Sequence, residues 1–177
     1  MSDDSEPAGD TDREMPDGPP TTGQRTVIPG LAEYWKDLAA EVAAVAAEYR
    51  DEGWEVLETH PGDVAPLPPG EHDRWGLDVV VPGDEIASVQ ELIDDAPVDE
   101  LDVFRTVQGE VVLLLIAAKA TAAERAILVP VYYRESDAAP VRAAARERGI
   151  VHVHLRPLTQ EPIVTFSHEQ PELFFPD

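Results

Sequence analysis

Apolar side chains recur at three- and four-residue spacing over residues 31–52, which predicts an amphipathic helix with one buried stripe. Gly53 follows, and glycine is a common residue just past a helix end. Two shorter helices are predicted on similar grounds, at residues 84–94 and 136–148, each beginning near a capping Asp or Ser. Each of the three helices therefore has an apolar face to bury.

Strands are predicted where apolar residues alternate with polar ones or form a short uninterrupted run. Residues 101–107 alternate, and the uninterrupted run at 111–118 is typical of a central strand. Pro130 favours an edge position or a bulge for its own strand, because proline cannot donate to a sheet ladder. Residues 61–76 are rich in proline and glycine and predict a loop. The remaining predicted strands are 54–59, 77–81, 126–133, 150–155 and 162–166.

The order of these elements predicts an α+β fold. Consecutive strands are joined by short links, which favours a mainly antiparallel sheet with helices packed on one face. Residues 27–177 have the length of a single domain of this kind. The order is similar, in topology alone, to that of secretion-chaperone-like domains, which dimerise and bind peptides or partner proteins.

Charge distinguishes the N-terminal segment from the rest of the chain and indicates the salt concentration in which the protein works. Residues 1–26 are acidic, rich in proline and almost free of apolar residues, which predicts a disordered acidic tail. The chain has 36 Asp and Glu against 13 Lys and Arg, a net charge of -23, and -18 of it lies beyond residue 25. Such a chain repels itself unless salt screens it, and at molar salt the Debye length is about 3 Å. We therefore expect a halophilic protein of a salt-rich cytoplasm.

Composition also excludes several classes of function. The chain has no cysteine, so disulfides, thiolate nucleophiles and cysteine-bound metals are excluded. The longest apolar run, 111–118, is far shorter than the roughly 20 residues of a membrane-spanning helix. Binding to nucleic acid is not expected, because it depends on a basic patch. A cytoplasmic protein that does not enter a membrane is the remaining expectation.

Several segments resemble a family of small acidic haloarchaeal proteins. The resemblance covers about residues 31–175 and implies a haloarchaeal cytoplasm. That family has no assigned activity, so the resemblance transfers no catalytic residue. The segments are EGWEVLE (52–58), THPGD (59–63), GLDVVVP (76–82), Tyr132-Tyr133 before Ser136-Asp137, and HVHLRPL (152–158) through TFSHE (165–169).

Three histidines form the one candidate metal site. His152 and His154 lie two apart on a predicted strand, so their side chains share a face. His168 follows the next strand and approaches them if the two strands pair. Three imidazoles suit zinc or another divalent metal, with Glu161 or Glu169 as a fourth ligand. The plainer interpretation, which we favour, is an exposed pair of histidines without a ligand.

A second pattern resembles the start of a restriction-endonuclease-like core. Asp78 lies on a buried strand, and Lys119 ends another very apolar strand. Those enzymes need an acid two residues before the lysine to hold Mg²⁺, and here that position is Ala117. An active nuclease is therefore not expected, and Asp78 is interpreted as a solvated residue at a strand start.

The sequence leaves two functional hypotheses. The leading one is a non-catalytic adaptor or chaperone-like domain that binds a protein partner or forms a homodimer. The alternative is a metal-binding protein or metal-dependent enzyme that uses the three histidines, with no other cofactor. Phe174 and Phe175 either fold back on the core or seal a dimer interface.

Overall fold

The computed structural model describes residues 29–70 and 72–176. The predicted disordered tail at residues 1–26 lies outside the described residues. The described part confirms the α+β fold, with three α-helices, eight strands and a short 3₁₀ helix. They are α1 (Leu31–Asp51), β1 (Glu55–Glu58), β2 (Asp63–Leu67), β3 (Gly76–Val80), α2 (Gly83–Asp94), β4 (Glu100–Gln108), β5 (Val111–Ala120), β6 (Arg125–Arg134), α3 (Glu135–Arg148), β7 (Val151–Arg156), β8 (Val164–His168) and η1 (Pro171–Leu173).

The strands form two four-stranded sheets, where the sequence predicted one. Sheet A has the order β1-β6-β5-β4, and sheet B has the order β2-β3-β7-β8. The pairs β1–β6 and β3–β7 are parallel, and the other four pairs are antiparallel. The mainly antiparallel pairing is thus confirmed. Strands β4 and β8 each form one edge of their sheets.

Strand β5 shows how the layers are arranged. Its even-numbered residues from Val112 to Ala118 face a core that it shares with sheet B, α2 and α3. Its odd-numbered residues from Val111 to Ala117 face a second core under α1. Both faces of the strand are buried, which explains its uninterrupted apolar run. The helices therefore lie on both faces of sheet A, so the prediction that they share one face was wrong.

Pro130 lies in a central strand that pairs with β5 without interruption, so the prediction of an edge position or a bulge was wrong. The backbone amide of Thr59 donates to the carbonyl of Leu128, so even-numbered residues of β6 point toward β1. The pairing with β1 ends at Leu128. The missing N–H of Pro130 thus falls just beyond Leu128, where the ladder with β1 ends.

The C-terminal aromatic residues belong to the core of the same chain. Phe174 and Phe175 are buried, and the Tyr133 hydroxyl donates a hydrogen bond to the Phe174 carbonyl. This arrangement settles the alternatives that the sequence left open, in favour of folding back. Among the helices of the described part, none is both long enough and apolar enough to cross a membrane.

Candidate functional site

A groove of about 1230 Å³ lies between the free edges of β4 and β8. Its floor is apolar because the two sheets share a core that these edges leave open on one side. Polar residues border it, including Thr165 and Ser167 at the free edge of β8. The floor consists of Ile93, Val98, Leu101, Val103, Phe166 and Leu173.

Along this groove, the outward backbone groups of β4 have no strand in the described part of the chain to pair with. Gln108 and Val111 pair across a two-residue turn, so the even-numbered residues of β4 exchange hydrogen bonds with β5. The amides and carbonyls of Leu101 and Val103 therefore point away from β5, into the groove. Among the described residues, no backbone hydrogen bond fills these positions. Such an edge is a template on which another strand can pair.

The rim of the groove is acidic. Four acidic residues border it, Asp99, Glu100, Asp102 and Glu169, with the carboxylates of Glu100 and Asp102 on the α1 face of β4, and its described lining includes no lysine or arginine. Lys119, beside the groove, contacts Glu100 and Asp102 through Nζ–O distances of 3.2 and 2.6 Å. The hydrogen bonds from Thr121 lower the pKa of Asp99, which keeps that carboxylate ionised. The rim therefore carries net negative charge after the lysine is counted.

The structure places the three candidate metal ligands on opposite faces of sheet B. His152 and His154 share the outer face, as predicted, with ring centroids 6.1 Å apart. His154 is buried and His152 half-buried, so the interpretation of an exposed pair was wrong. His168 pairs with Val151, a core residue, so its side chain lies on the core face, where its ring contacts Phe174. A residue directly opposite another in an antiparallel pair shares its face. The strands do pair, but in a register that separates His168 from the other two.

The nitrogen atoms of these rings are also largely engaged. His154 Nε2 lies 2.8 Å from the Trp75 carbonyl and donates to it, and Nδ1 is bonded to the Thr165 hydroxyl. His168 Nδ1 accepts from the Gln170 amide. In the described part of the chain, no group of three or more His, Asp or Glu is placed to hold a metal ion. Metal binding by these histidines stays a prediction, and this geometry does not assemble the three-imidazole site.

Next to His154 on the outer face lies a buried ion network. Asp78 is only 3% exposed, so the interpretation of a solvated residue was wrong. Its two carboxylate oxygens each accept a hydrogen bond of 2.8 Å, one from Arg74 Nε and one from Arg156 Nε. A buried carboxylate with two guanidinium partners is a structural anchor for β3, β7 and the loop before β3.

The nuclease-like arrangement is not assembled either. Asp78 lies in sheet B between two arginines, whereas Lys119 lies in sheet A between Glu100 and Asp102. Burial lowers the pKa of Lys119, but hydrogen bonds to Asp102 and Glu100 outweigh it and raise that pKa above its usual value. The ammonium group is therefore held charged by its pair of carboxylates.

The outer-face histidines predict how stability depends on pH. Burial lowers the pKa of His154 despite its bond to Trp75, and burial together with the charges of His154 and Arg148 lowers that of His152. The unfolded state then binds protons at a pH where the folded state does not. Stability is therefore expected to fall as pH drops below the unfolded histidine value of about 6.5.

In His154→Gln, stability should fall less steeply as the pH decreases, because glutamine keeps a donor for the Trp75 carbonyl and does not titrate. Urea unfolding between about pH 7 and pH 5, at constant salt, measures the slope. A slope equal to that of the parent protein would contradict the assignment of a buried neutral imidazole to His154.

Sequence reasoning missed the groove and Trp75's partners. Trp75 contacts the His152 ring, and the guanidinium of Arg148 lies 5.0 Å from the centre of the Trp75 ring. No local motif marks the groove, since it depends on which strands are sheet edges. The alternation in β4 was the available signal, because it placed Leu101 and Val103 on one apolar face.

Comparison with known proteins gives a family and nothing further. The model of a family described as a family of unknown function, DUF7529, matches residues 24–176. No curated protein and no solved structure shows a significant match. The functional argument therefore depends on the geometry of this chain.

Proposed function

The chain belongs to the DUF7529 family, a family of unknown function, and we propose that it is a non-catalytic protein-binding domain. Its ligand is an extended segment of a partner protein that adds as a strand to β4 in the groove. The observation that carries the proposal is the open backbone of Leu101 and Val103 beside an apolar floor. Strand addition uses such a pair of features, with backbone bonds for affinity and apolar contacts for specificity.

Charge identifies the kind of segment. The rim carries four carboxylates, so it favours a segment in which lysine or arginine alternates with apolar residues. The apolar side chains then face the floor, and the basic ones lie on the other face of the added strand, beside Glu100 and Asp102. The chain's own N-terminal segment is acidic, and so is a second copy at -23, so both are poor occupants of an acidic groove.

The same charge supports a salt-rich cytoplasm as the working environment. At molar salt the rim attracts a basic segment only over a few ångströms. The affinity there comes mainly from the floor and from the backbone bonds, which salt does not screen. The acidic rim then discriminates between basic and acidic segments only at close contact.

Three synthetic peptides test this proposal. The first alternates lysine with valine, the second has glutamate in place of lysine, and the third is the first with alternate backbone amides N-methylated. We expect the first to bind, and the second and third to bind at least about tenfold more weakly, a difference of about 1.4 kcal/mol. Calorimetry in molar KCl measures the three affinities. Equal binding of the N-methylated peptide would contradict strand addition.

A matched pair of charge reversals locates the site. Glu169→Lys and Glu41→Lys change the net charge by the same amount, and both residues are exposed, but only Glu169 lines the groove. Glu169→Lys should weaken binding of the lysine–valine peptide severalfold more than Glu41→Lys does. Equal losses of affinity in the two variants would show that the peptide is attracted to the whole acidic chain and not to the groove. Sedimentation of the free protein adds a further test, since a stable dimer that excludes the peptide would make a second copy the occupant.

A further inference from the structure

A second cavity, of about 340 Å³, lies on the opposite side of sheet A from the groove. It is enclosed by α1, by the carboxyl end of β1 and by the middle of β6. Its walls are mainly apolar, from Trp35, Val42 and Pro130, while Thr59 and His60 supply polar groups near its mouth. A small-molecule site has this composition, and the volume is at the lower end of the usual range for one.

Two features of the backbone reduce the number of free polar groups that face this cavity. Pro130 has no N–H, and it occupies the position of β6 that β1 no longer covers. The Leu128 carbonyl, which points the same way, accepts bonds from both the backbone amide and the hydroxyl of Thr59. Removing polar groups from a cavity wall makes its interior favour an apolar molecule over water. The wall of this cavity is therefore suited to a hydrocarbon ring.

His60 is held in one orientation at the mouth. Its backbone amide donates to Glu85 Oε1 at 2.6 Å, and its ring Nδ1 lies 2.9 Å from Oε2 of the same carboxylate. A carboxylate only accepts hydrogen bonds, so Nδ1 carries the proton of this contact. In the neutral ring, Nε2 is left as an acceptor. The side chain is 76% exposed, so the core does not need this contact.

We infer that this cavity binds a small aromatic molecule that carries one hydrogen-bond donor, a hydroxyl or an amine. The ring lies between Trp35 and Pro130, and the donor bonds to Nε2 of His60. An aromatic ring gains from a neighbouring indole through edge contacts, as Trp35 already does with Tyr132. This site is separate from the groove, which lies beside β4 at the other edge of sheet A.

Phenol and toluene test the inference, because the two have similar rings and only phenol has a donor. Their binding to the full chain is followed through the NMR signal of the Trp35 indole N–H. We expect phenol to bind about two- to tenfold more tightly than toluene, the effect of one hydrogen bond. His60→Ala should lower the affinity for phenol to that for toluene and leave the affinity for toluene unchanged.

Two substitutions on α1 form the matched control. Ala39 lines the cavity and Ala40 does not, and both are exposed, so tryptophan is tolerated at either position. Ala39→Trp should abolish binding of both probes, and Ala40→Trp should leave both unchanged. The inference is overturned if the Trp35 signal does not respond to either probe, if both variants behave alike, or if phenol and toluene bind equally. None of these results depends on the groove, where Glu169→Lys provides the separate test.

Discussion

Replacing Asp78 with alanine is expected to destabilise the protein by about 3–5 kcal/mol. The carboxylate is almost fully buried and accepts a hydrogen bond from each of two guanidinium groups. Its removal leaves Arg74 and Arg156 partly buried, close together and without their shared counter-charge. Urea unfolding in molar salt measures the free energy of unfolding, and far-ultraviolet circular dichroism checks that the variant folds.

An exposed carboxylate provides the comparison. Asp95 accepts from Arg125 Nη1 at 2.6 Å, but its side chain is 75% exposed. Asp95→Ala should therefore cost much less than Asp78→Ala. If Asp78→Ala costs no more than Asp95→Ala, the network is hydrated and the account of sheet B is wrong. Should Asp78→Ala fail to fold, combining it with Arg74→Met and Arg156→Met should restore folding, because neither guanidinium group is then left without its counter-charge.

Gly76→Ala is expected to be comparably severe, at about 3 kcal/mol or more, from backbone strain and a steric clash together. Gly76 has φ +121°, a conformation that L residues rarely adopt. A Cβ atom there would lie 2.2 Å from the carbonyl oxygen of His152 on the neighbouring strand. Because that oxygen belongs to the backbone of β7, the strands must move apart. The free energy of unfolding measures the cost.

Two other glycines distinguish the cost of backbone strain from the cost of the steric clash. Gly70 has φ +95° but open space around the position of a Cβ atom, so Gly70→Ala should show the strain alone, about 1 kcal/mol. Gly62 has neither strain nor close neighbours, so Gly62→Ala should be nearly neutral. A cost for Gly76→Ala no greater than that for Gly70→Ala would mean that β3 and β7 are not packed as closely as described.

Local pattern was sufficient to predict most of the elements. The apolar stripe on α1 and the uninterrupted run in β5 gave elements within two residues of their observed ends. Both are long segments whose burial requires a repeating pattern. Strand β2 was missed because it is a short edge strand with Pro66 and only Val64 buried, so its sequence resembles a loop.

The division into two sheets was not predictable from those patterns. It depends on β3 pairing in parallel with β7, which lies more than 70 residues later in the chain. Pro130 was misread for a similar reason. A proline excludes one hydrogen bond, but whether that bond would have had a partner depends on where β1 ends. Both features are set by contacts distant in sequence.

The candidate sites show the same limit. That His152 and His154 share a face follows from strand periodicity alone, and the structure agrees. The position of His168 follows from the register of β7 with β8, which a single residue of shift reverses. Predicting the groove requires still more information, since only the order of strands in both sheets shows that β4 and β8 are edge strands.

Amide hydrogen exchange on β4, with and without the lysine–valine peptide, tests the central claim most directly. The account predicts that the outward amides of Leu101 and Val103 exchange rapidly in the free protein and slow markedly when the peptide binds. The amides of Asp102 and Phe104, which face β5, should be protected in both states. Outward amides that are already protected in the free protein, or that do not respond to the bound peptide, would contradict strand addition in this groove.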